Sequence, residues 1–201
     1  MDQPKRGATA LSNGKRWLLA AAALALAALA YGEVTLWRAP SQQAAALIGG
    51  PFRLEGPDGR IVTDADMKGR PFLVFFGYTH CPDVCPTTLA QISDVLKRLP
   101  DKPIPVLFIS FDPERDTPAT LKDYVASFDP RIVGLSGERM AVEQAERAYR
   151  VYAKKVGAAN GDYTFDHTAL VYLMDANGRF VEAFNLERTP DEAAKELASY
   201  L

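Results

Sequence analysis

The stretch from Pro71 to Leu89, PFLVFFGYTHCPDVCPTTL, decides how the chain is expected to fold. It opens with an unbroken apolar run from Phe72 to Phe76, which Gly77 closes. A short aromatic run of this kind is typical of a strand that is buried on both faces. Pro86 is then placed to start a helix, because its ring fixes φ and its missing N–H would have no partner there. We therefore predict a strand, a turn and a helix in this order.

The predicted turn contains Cys81 and Cys85, the only two cysteines of the chain, separated by Pro82-Asp83-Val84. Proline, aspartate and glycine around both cysteines predict an exposed turn rather than core positions. A thiol at a helix N-terminus meets the positive end of the dipole, which favours the thiolate, the form that binds metals. The two sulfurs could converge on one soft ion or close a redox disulfide, for which the Cα atoms must lie within roughly 7 Å. The sequence permits both states.

Further segments alternate between strand and helix patterns. Strands are predicted in segments 52–54, 61–62, 106–111 and 132–135. One helix is predicted to begin where Thr117 caps it and Pro118 opens it, and another to run from about Glu138 to Lys154. A strand, a helix and a second strand in this order predict a parallel pair with a right-handed crossover.

The C-terminal part is predicted to add an antiparallel hairpin. The segment from Val156 to Phe165 contains glycine and asparagine and is interpreted as a mobile loop. Strands from Thr168 to Met174 and from Arg179 to Phe184 flank Asp-Ala-Asn-Gly, a strong hairpin signal because Asn-Gly accepts positive φ. Thr189 then caps a terminal helix. Together these elements predict an α/β domain of thioredoxin-like fold, in which helices flank a central mixed sheet.

The N-terminal segment is predicted to be one transmembrane helix. No charged residue occurs from Trp17 to Gly32, and the apolar character continues past Glu33 to Trp37. As a helix this span would reach roughly 31 Å at ~1.5 Å per residue, which is enough to cross a bilayer. Basic residues precede the span, so the N-terminus is expected in the cytoplasm and the domain in the periplasm.

The predicted organisation has four parts. They are a cytoplasmic N-terminus at 1–16, an anchor at 17–37, a linker at 38–50 and the thioredoxin-like domain at 51–201. A cleaved signal peptide is the alternative to an anchor, since Ala28-Leu29-Ala30 has the small-x-small form of a cleavage site. A lipoprotein anchor is not expected, because no cysteine directly follows the apolar run.

Charge argues against a nucleic-acid partner. The formal net charge of the chain is −2, and the first sixteen residues carry +3, so the remainder carries −5. A modestly acidic domain is a poor binder of nucleic acids.

Two histidines, His80 and His167, are the only candidates for an imidazole ligand beside the cysteines. His80 adjoins Cys81, and adjacent side chains generally diverge, so a supporting position near the metal is expected for it. His167 directly precedes the strand predicted from Thr168. In a thioredoxin-like sheet this strand lies beside the one that ends at the cysteines, so its start is expected to face their turn across the loop. Two thiolates and one imidazole form a soft set that suits Cu(I), whereas structural zinc would need a fourth strong ligand.

Acidic residues near these positions are weaker candidates. Asp166 adjoins His167, and Asp112 and Asp116 lie in the charged loop after the second buried run. A carboxylate there could hold the imidazole or assist Cu(II), although most such acids are solvated or cap turns.

A thiol-disulfide oxidoreductase or a peroxidase is the competing class of function, and a redox sensor or assembly scaffold without a metal-delivery role is a third. Thioredoxins space their cysteines by two residues, whereas three separate Cys81 and Cys85. They also carry a proline where this chain has Asp166 and His167. A peroxidase would usually need a Pro-x-x-x-Thr-x-x-Cys setting, which this chain lacks.

Three motifs, GYTHCPDVCPTTL, SFDPERDTP and FDHTALVYLMDANG, together resemble the Sco/SenC family of membrane-tethered copper chaperones for cytochrome c oxidase assembly. The resemblance covers roughly residues 50–201. It implies copper ligands at Cys81, Cys85 and His167, with Asp112 in the neighbouring acidic motif. It also implies oxidase subunit II as the partner, through delivery of copper to its dinuclear copper A centre or through reduction of its cysteines. An upstream copper donor, a thiol reductant and a single-pass anchor in the inner membrane complete the expected setting of a metallochaperone rather than an enzyme.

Overall fold

The apolar run predicted as a buried strand is the central strand of the domain. Every residue of this strand, β3 (Phe72–Gly77), is buried. It pairs in parallel with β4 (Val106–Ser110) and antiparallel with β8 (Val171–Met174). The five-stranded sheet has the order β5-β4-β3-β8-β9, with β5 at Ile132–Leu135 and β9 at Phe180–Ala183. The predicted parallel crossover and the C-terminal hairpin are therefore both confirmed.

A computed structural model describes residues 22–25, 48–158 and 161–201 of the chain. Contacts divide the chain into one unit at Met1–Ala44 and another at Ala45–Leu201. Residues 22–25 are helical, but the rest of the predicted membrane span and most of the predicted linker lie outside the described residues. None of the described helices is long and apolar enough to cross a membrane.

Four helices of the second unit are described, and three of their starts follow the sequence signals. They are α1 (Val84–Leu96), α2 (Pro118–Val125), α3 (Arg139–Ala148) and α4 (Pro190–Ala198). Thr117 Oγ1 accepts the N–H of Thr120 at the start of α2, as the predicted cap requires. Thr189 forms a capping box with Glu192 at the start of α4, which satisfies amides that the helix itself leaves free. α1 and α4 pack against each other.

A small hairpin precedes the central strand. β1 (Arg53–Glu55) pairs antiparallel with β2 (Ile61–Thr63) around a turn at residues 57–59. Gly59 in that turn has a φ of 74°, a conformation that glycine adopts without steric cost. Glu55 also bridges to Ser136, which attaches the hairpin to the segment after β5, and a short 3-10 helix at Asp64–Met67 leads to β3.

The third helix is shorter than predicted. It ends at Ala148 rather than near Lys154. Arg150 has a φ of 56°, and a residue in this left-handed conformation cannot continue a right-handed helix. The chain therefore changes direction two residues after α3.

A second hairpin occupies the segment that was interpreted as a mobile loop. β6 (Ala153–Gly157) and β7 (Tyr163–His167) pair antiparallel, with Ala153 opposite His167. They form a two-stranded sheet separate from the central one, so the interpretation of 156–165 as a loop is wrong. β8 accordingly begins at Val171 rather than at the predicted Thr168.

Candidate metal centre

The turn after β3 places both cysteines at the N-terminus of α1. Cys81 precedes the helix, and Cys85 is its second residue. The helix begins at Val84, two residues before the predicted start at Pro86. Proline is tolerated at this third position because the first four N–H groups have no partner within a helix. The backbone N–H of Cys85, which has no partner within the helix, donates to Cys81 Sγ over 3.3 Å. The N-terminus of α1 therefore faces the sulfur of Cys81.

Both thiols are buried, which contradicts the predicted exposed turn. The exposed fraction is 0% for Cys85 and 9% for Cys81. Residues 82–84 between them are exposed. The turn-forming residues therefore identified the exposed tip of the turn but not the burial of the two cysteines. Gly77 makes room for the second sulfur, since a Cβ at this position would lie 2.8 Å from Cys85 Sγ and 2.6 Å from Phe108 Cε2.

Burial raises the pKa of the Cys85 thiol well above its usual range. The cause is desolvation, because a thiolate loses its hydration in apolar surroundings. This direction is opposite to the one expected from the helix N-terminus alone. In the metal-free protein Cys85 is therefore a neutral thiol, and a metal that binds it must displace a proton.

His167 reaches the sulfurs from the end of β7. Its Nδ1 lies 2.9 Å from the carbonyl oxygen of Thr168, and since a carbonyl only accepts, Nδ1 carries the proton and donates. Nε2 then presents its lone pair, which is the form of imidazole that ligates metals. The ring packs against Phe111, with 5.0 Å between centroids. The second hairpin, and not the start of a strand in the central sheet, therefore delivers this side chain.

Three donor groups meet at one point. The donor atoms of Cys81, Cys85 and His167 all lie within 4.8 Å of one another. Among the residues that the structure describes, this is the one group of three or more histidine, cysteine or acidic side chains with such proximity. Two sulfurs and one imidazole form a soft donor set that fits Cu(I), and no fourth donor for structural zinc belongs to the group.

The fold and the donor group can be compared with known proteins. A family model described as SCO1/SenC matches residues 40–201, which is most of the chain. The chain belongs to the SCO1/SenC family.

This SCO1/SenC chain is similar both to a human protein in sequence and to a bacterial protein of known structure. The human "Protein SCO1 homolog, mitochondrial" is 41% identical over 162 residues, covering 77% of this chain and 53% of the human protein. The chain thus spans about half the length of that relative. The structure of Bradyrhizobium japonicum ScoI with copper bound is 59% identical, covers 77% of this chain and 99% of that one, and has a TM-score of 0.73.

A more distant structure carries a functional description of the family. BsSco, called a member of the Sco family of cytochrome c oxidase assembly proteins with a disulfide switch, is 25% identical. It covers 75% of this chain and 91% of that chain, with a TM-score of 0.58. The predicted thioredoxin-like fold is confirmed by these likenesses. A homologous structure contains copper, and this SCO1/SenC chain has a Cys-Cys-His group that could bind it.

Other predicted residues of the SCO1/SenC site lie outside the donor group. His80 is exposed, and its Nδ1 lies 3.1 Å from Thr79 Oγ1. Asp166 is exposed as well. Asp112 is fully buried but accepts hydrogen bonds from Tyr163 and Arg115. The imidazole of His167 is held by a backbone carbonyl and not by any of these carboxylates.

Tyr78 and Thr79, which the sequence did not single out, hold the SCO1/SenC site together. The Tyr78 ring meets the His167 ring edge to face, with 6.0 Å between centroids, and its hydroxyl lies 2.7 Å from Thr164 Oγ1. Thr79 donates its N–H and its hydroxyl to Asp116 over 2.9 and 2.6 Å. Asp116 is fully buried, so this predicted candidate fixes the turn before Cys81. Tyr78 and Thr79 both lie in the GYTHC motif, but a single sequence does not distinguish a packed tyrosine from an exposed one.

Proposed function

We propose that this chain binds Cu(I) through Cys81, Cys85 and His167 and serves the copper A centre of cytochrome c oxidase subunit II. It delivers copper to that centre or reduces the cysteines of the subunit before copper enters. The convergence of two thiols and one imidazole within 4.8 Å is the observation that carries this proposal. The copper found in the B. japonicum relative supports copper as the bound metal. The description of BsSco supports the link to oxidase assembly.

Each donor has a distinct part in holding the cargo. The sulfurs bind as thiolates, and the Cys85 proton is displaced on binding because this thiol is neutral in its buried position. The Thr168 carbonyl accepts the Nδ1 proton of His167 and so directs Nε2, with its lone pair, toward the metal. Copper supplies the soft acceptor that all three donors favour. His167 is partly exposed whereas Cys85 is fully buried, and we propose that an acceptor protein approaches from the side of the imidazole.

The same two sulfurs provide a redox control. Both cysteines are free thiols in this structure. Oxidation to a Cys81–Cys85 disulfide removes two electrons and two protons and leaves no thiolate for copper. An upstream thiol reductant must return those electrons and protons before a copper donor can load the protein. The disulfide switch described for BsSco supports this proposal.

Membrane anchoring completes the proposed function. The uncharged span that begins at Trp17, together with the basic residues before it, motivates an N-terminus in the cytoplasm and a domain in the periplasm. A reporter enzyme that is active only outside the cytoplasm, fused after Gly50, is expected to be active and to stay with the membrane fraction. A mature protein whose N-terminal sequence began at Tyr31 would contradict the anchor.

The ligand assignment is tested by comparing the two histidines. His167→Ala should weaken Cu(I) binding by about 10- to 100-fold or more, since loss of a hydrogen-bond partner that only orients a ligand already costs that much in metal sites. His80→Ala should change the affinity less than about twofold, because this side chain is exposed and outside the donor group. Competition with a chromophoric Cu(I) chelator under reducing conditions measures both. Equal effects of the two substitutions would remove the basis for choosing His167.

A further inference from the structure

The position of His167 depends on a hairpin that lies outside the central sheet. β6 and β7 bond to each other and form their own two-stranded sheet. His167 is the last residue of β7. Near the metal centre, Phe165 packs against Tyr78 and Phe111, with 5.2 and 4.9 Å between ring centroids. The opposite end of β7 begins at Tyr163, and there a different set of contacts holds the hairpin to the domain.

Tyr163 is clamped between two cations. The Arg115 guanidinium carbon lies 3.6 Å from the centroid of its ring, and Lys155 Nζ lies 3.7 Å from the same centroid. Both distances are well inside the range of cation–π attraction. The Tyr163 hydroxyl donates to Asp112 Oδ1 over 2.9 Å. Lys155 Nζ also donates to Glu114 Oε2 over 2.6 Å, so both strands of the hairpin bind the acidic loop that follows β4.

Arg115 connects this clamp to the interior. Its Nε donates to Asp112 Oδ2 over 2.5 Å, and its Nη1 donates to the Tyr163 carbonyl over 3.2 Å. Asp112 is 0% exposed, and its carboxylate is shared between the arginine and the tyrosine. A planar guanidinium with several directed donors holds such an arrangement better than a single ammonium does. Tyr163, Arg115 and Asp112 therefore form one connected unit, which we call the hairpin clamp.

The loop that provides the clamp also holds the cysteine side of the metal centre. Asp116, four residues after Asp112, accepts both donors of Thr79, two residues before Cys81. Ser110 Oγ donates to Asp116 over 2.6 Å and accepts the N–H of Asp112 over 3.0 Å. The segment 110–116 is thus hydrogen-bonded both to the turn that carries the two thiols and to the hairpin that carries the imidazole.

We propose that Tyr163 and Arg115 are positioning residues for the copper ligand His167, an inference that rests on the ligand set given under the proposed function. The clamp fastens one end of β7, and the paired strand transmits this position to His167 about 13 Å away, at roughly 3.3 Å per residue. A hairpin released at Tyr163 places the imidazole near the sulfurs for a smaller fraction of the time. The apparent Cu(I) affinity falls by that fraction.

Tyr163→Phe tests the clamp with the smallest change, since it removes only the hydroxyl that donates to Asp112. The dissociation constant for Cu(I) is expected to rise about three- to tenfold, the range for the net loss of one typical hydrogen bond, since Asp112 keeps its bond from Arg115. Tyr200→Phe is the matched control, because Tyr200 also donates its hydroxyl to a carboxylate, Glu182, over 3.3 Å. Its effect is expected to stay within about twofold.

A double-mutant cycle separates positioning from a general loss of stability. In the His167→Ala background the clamp has no ligand left to position, so Tyr163→Phe should no longer change the Cu(I) dissociation constant. Arg115→Lys, which retains the charge but loses the planar guanidinium with its several donors, should show the same dependence on His167. A Tyr163→Phe effect of equal size in both backgrounds, or no effect in the native background, would overturn the proposal.

Hydrogen exchange of the metal-free protein adds a readout that does not involve copper. Tyr163→Phe should speed exchange of the β6 and β7 amides by about three- to tenfold while those of β3 and β4 are unchanged. Unchanged exchange in the hairpin would overturn the proposed role of the hairpin clamp.

If the native protein and His167→Ala bound Cu(I) equally, the proposed ligand set would be wrong. A normal His167→Ala effect without coupling to Tyr163 would overturn only the positioning.

Discussion

Cys85→Ser is expected to reduce Cu(I) affinity by more than about 100-fold, because loss of a partner that only orients a ligand already costs about 10- to 100-fold in metal sites. The substitution exchanges a soft sulfur for a hard oxygen at nearly the same position, and Cu(I) discriminates strongly against oxygen donors. Cys81→Ser should have an effect of the same order, since the two sulfurs belong to one donor group with His167. Titration of the reduced protein with Cu(I) against a competing chelator measures both losses.

Folding must be separated from binding in this experiment. Cys85 is 0% exposed beside Phe108 and Gly77, so a serine hydroxyl there can also lower the free energy of unfolding. Cys81 is 9% exposed, and its replacement is the milder test of the fold. Thermal unfolding of both metal-free variants supplies the control. A well-folded Cys81→Ser protein that kept its copper affinity within about tenfold would contradict the ligand set.

The central sheet was predictable because its strands leave a strong local signal. β3 and β4 are buried along their whole length, and such strands read as unbroken apolar runs. The Asn-Gly turn before β9 and the caps at Thr117 and Thr189 are equally local signals, and the structure has all three.

The second hairpin was not predicted because its strands carry a weak signal. Lys154 and Lys155 lie in β6 and are exposed, and lysine is depleted in strands. The alternation of Tyr163, Phe165 and His167 along β7 is a period-two pattern that could have identified the strand. It is short, however, and contact with aromatic residues from distant parts of the chain, Tyr78 and Phe111, stabilises it.

The three candidate donors could be named from the sequence, but their environment could not. Cysteine and histidine are rare enough in this chain that their chemistry could be read directly from Cys81, Cys85 and His167. Cys85 is fully buried with its sulfur close to Gly77, and sequence spacing does not reveal this packing. The role of Asp112 likewise depends on Tyr163, which lies 51 residues away in the chain.

Loss of the copper A centre is the largest effect expected in the cell. A strain in which Cys85→Ser replaces the native chromosomal copy should assemble cytochrome c oxidase with little or no copper in subunit II when copper is limiting. Both routes of the proposed function need this sulfur, one as a copper ligand and the other as a thiol. Excess copper is expected to restore part of the centre if delivery is the main route, because the metal can then reach the subunit without its carrier.

The copper content of subunit II at limiting copper therefore tests the central claim most directly. It should be measured in membranes from the native strain, the Cys85→Ser strain and a His80→Ala strain, with the level of each variant checked by immunoblot. His80 is exposed and outside the donor group, so its variant controls for substitution next to the cysteines. The account predicts a normal copper A centre with His80→Ala and a depleted one with Cys85→Ser. A full complement of copper in subunit II of the Cys85→Ser strain would contradict it.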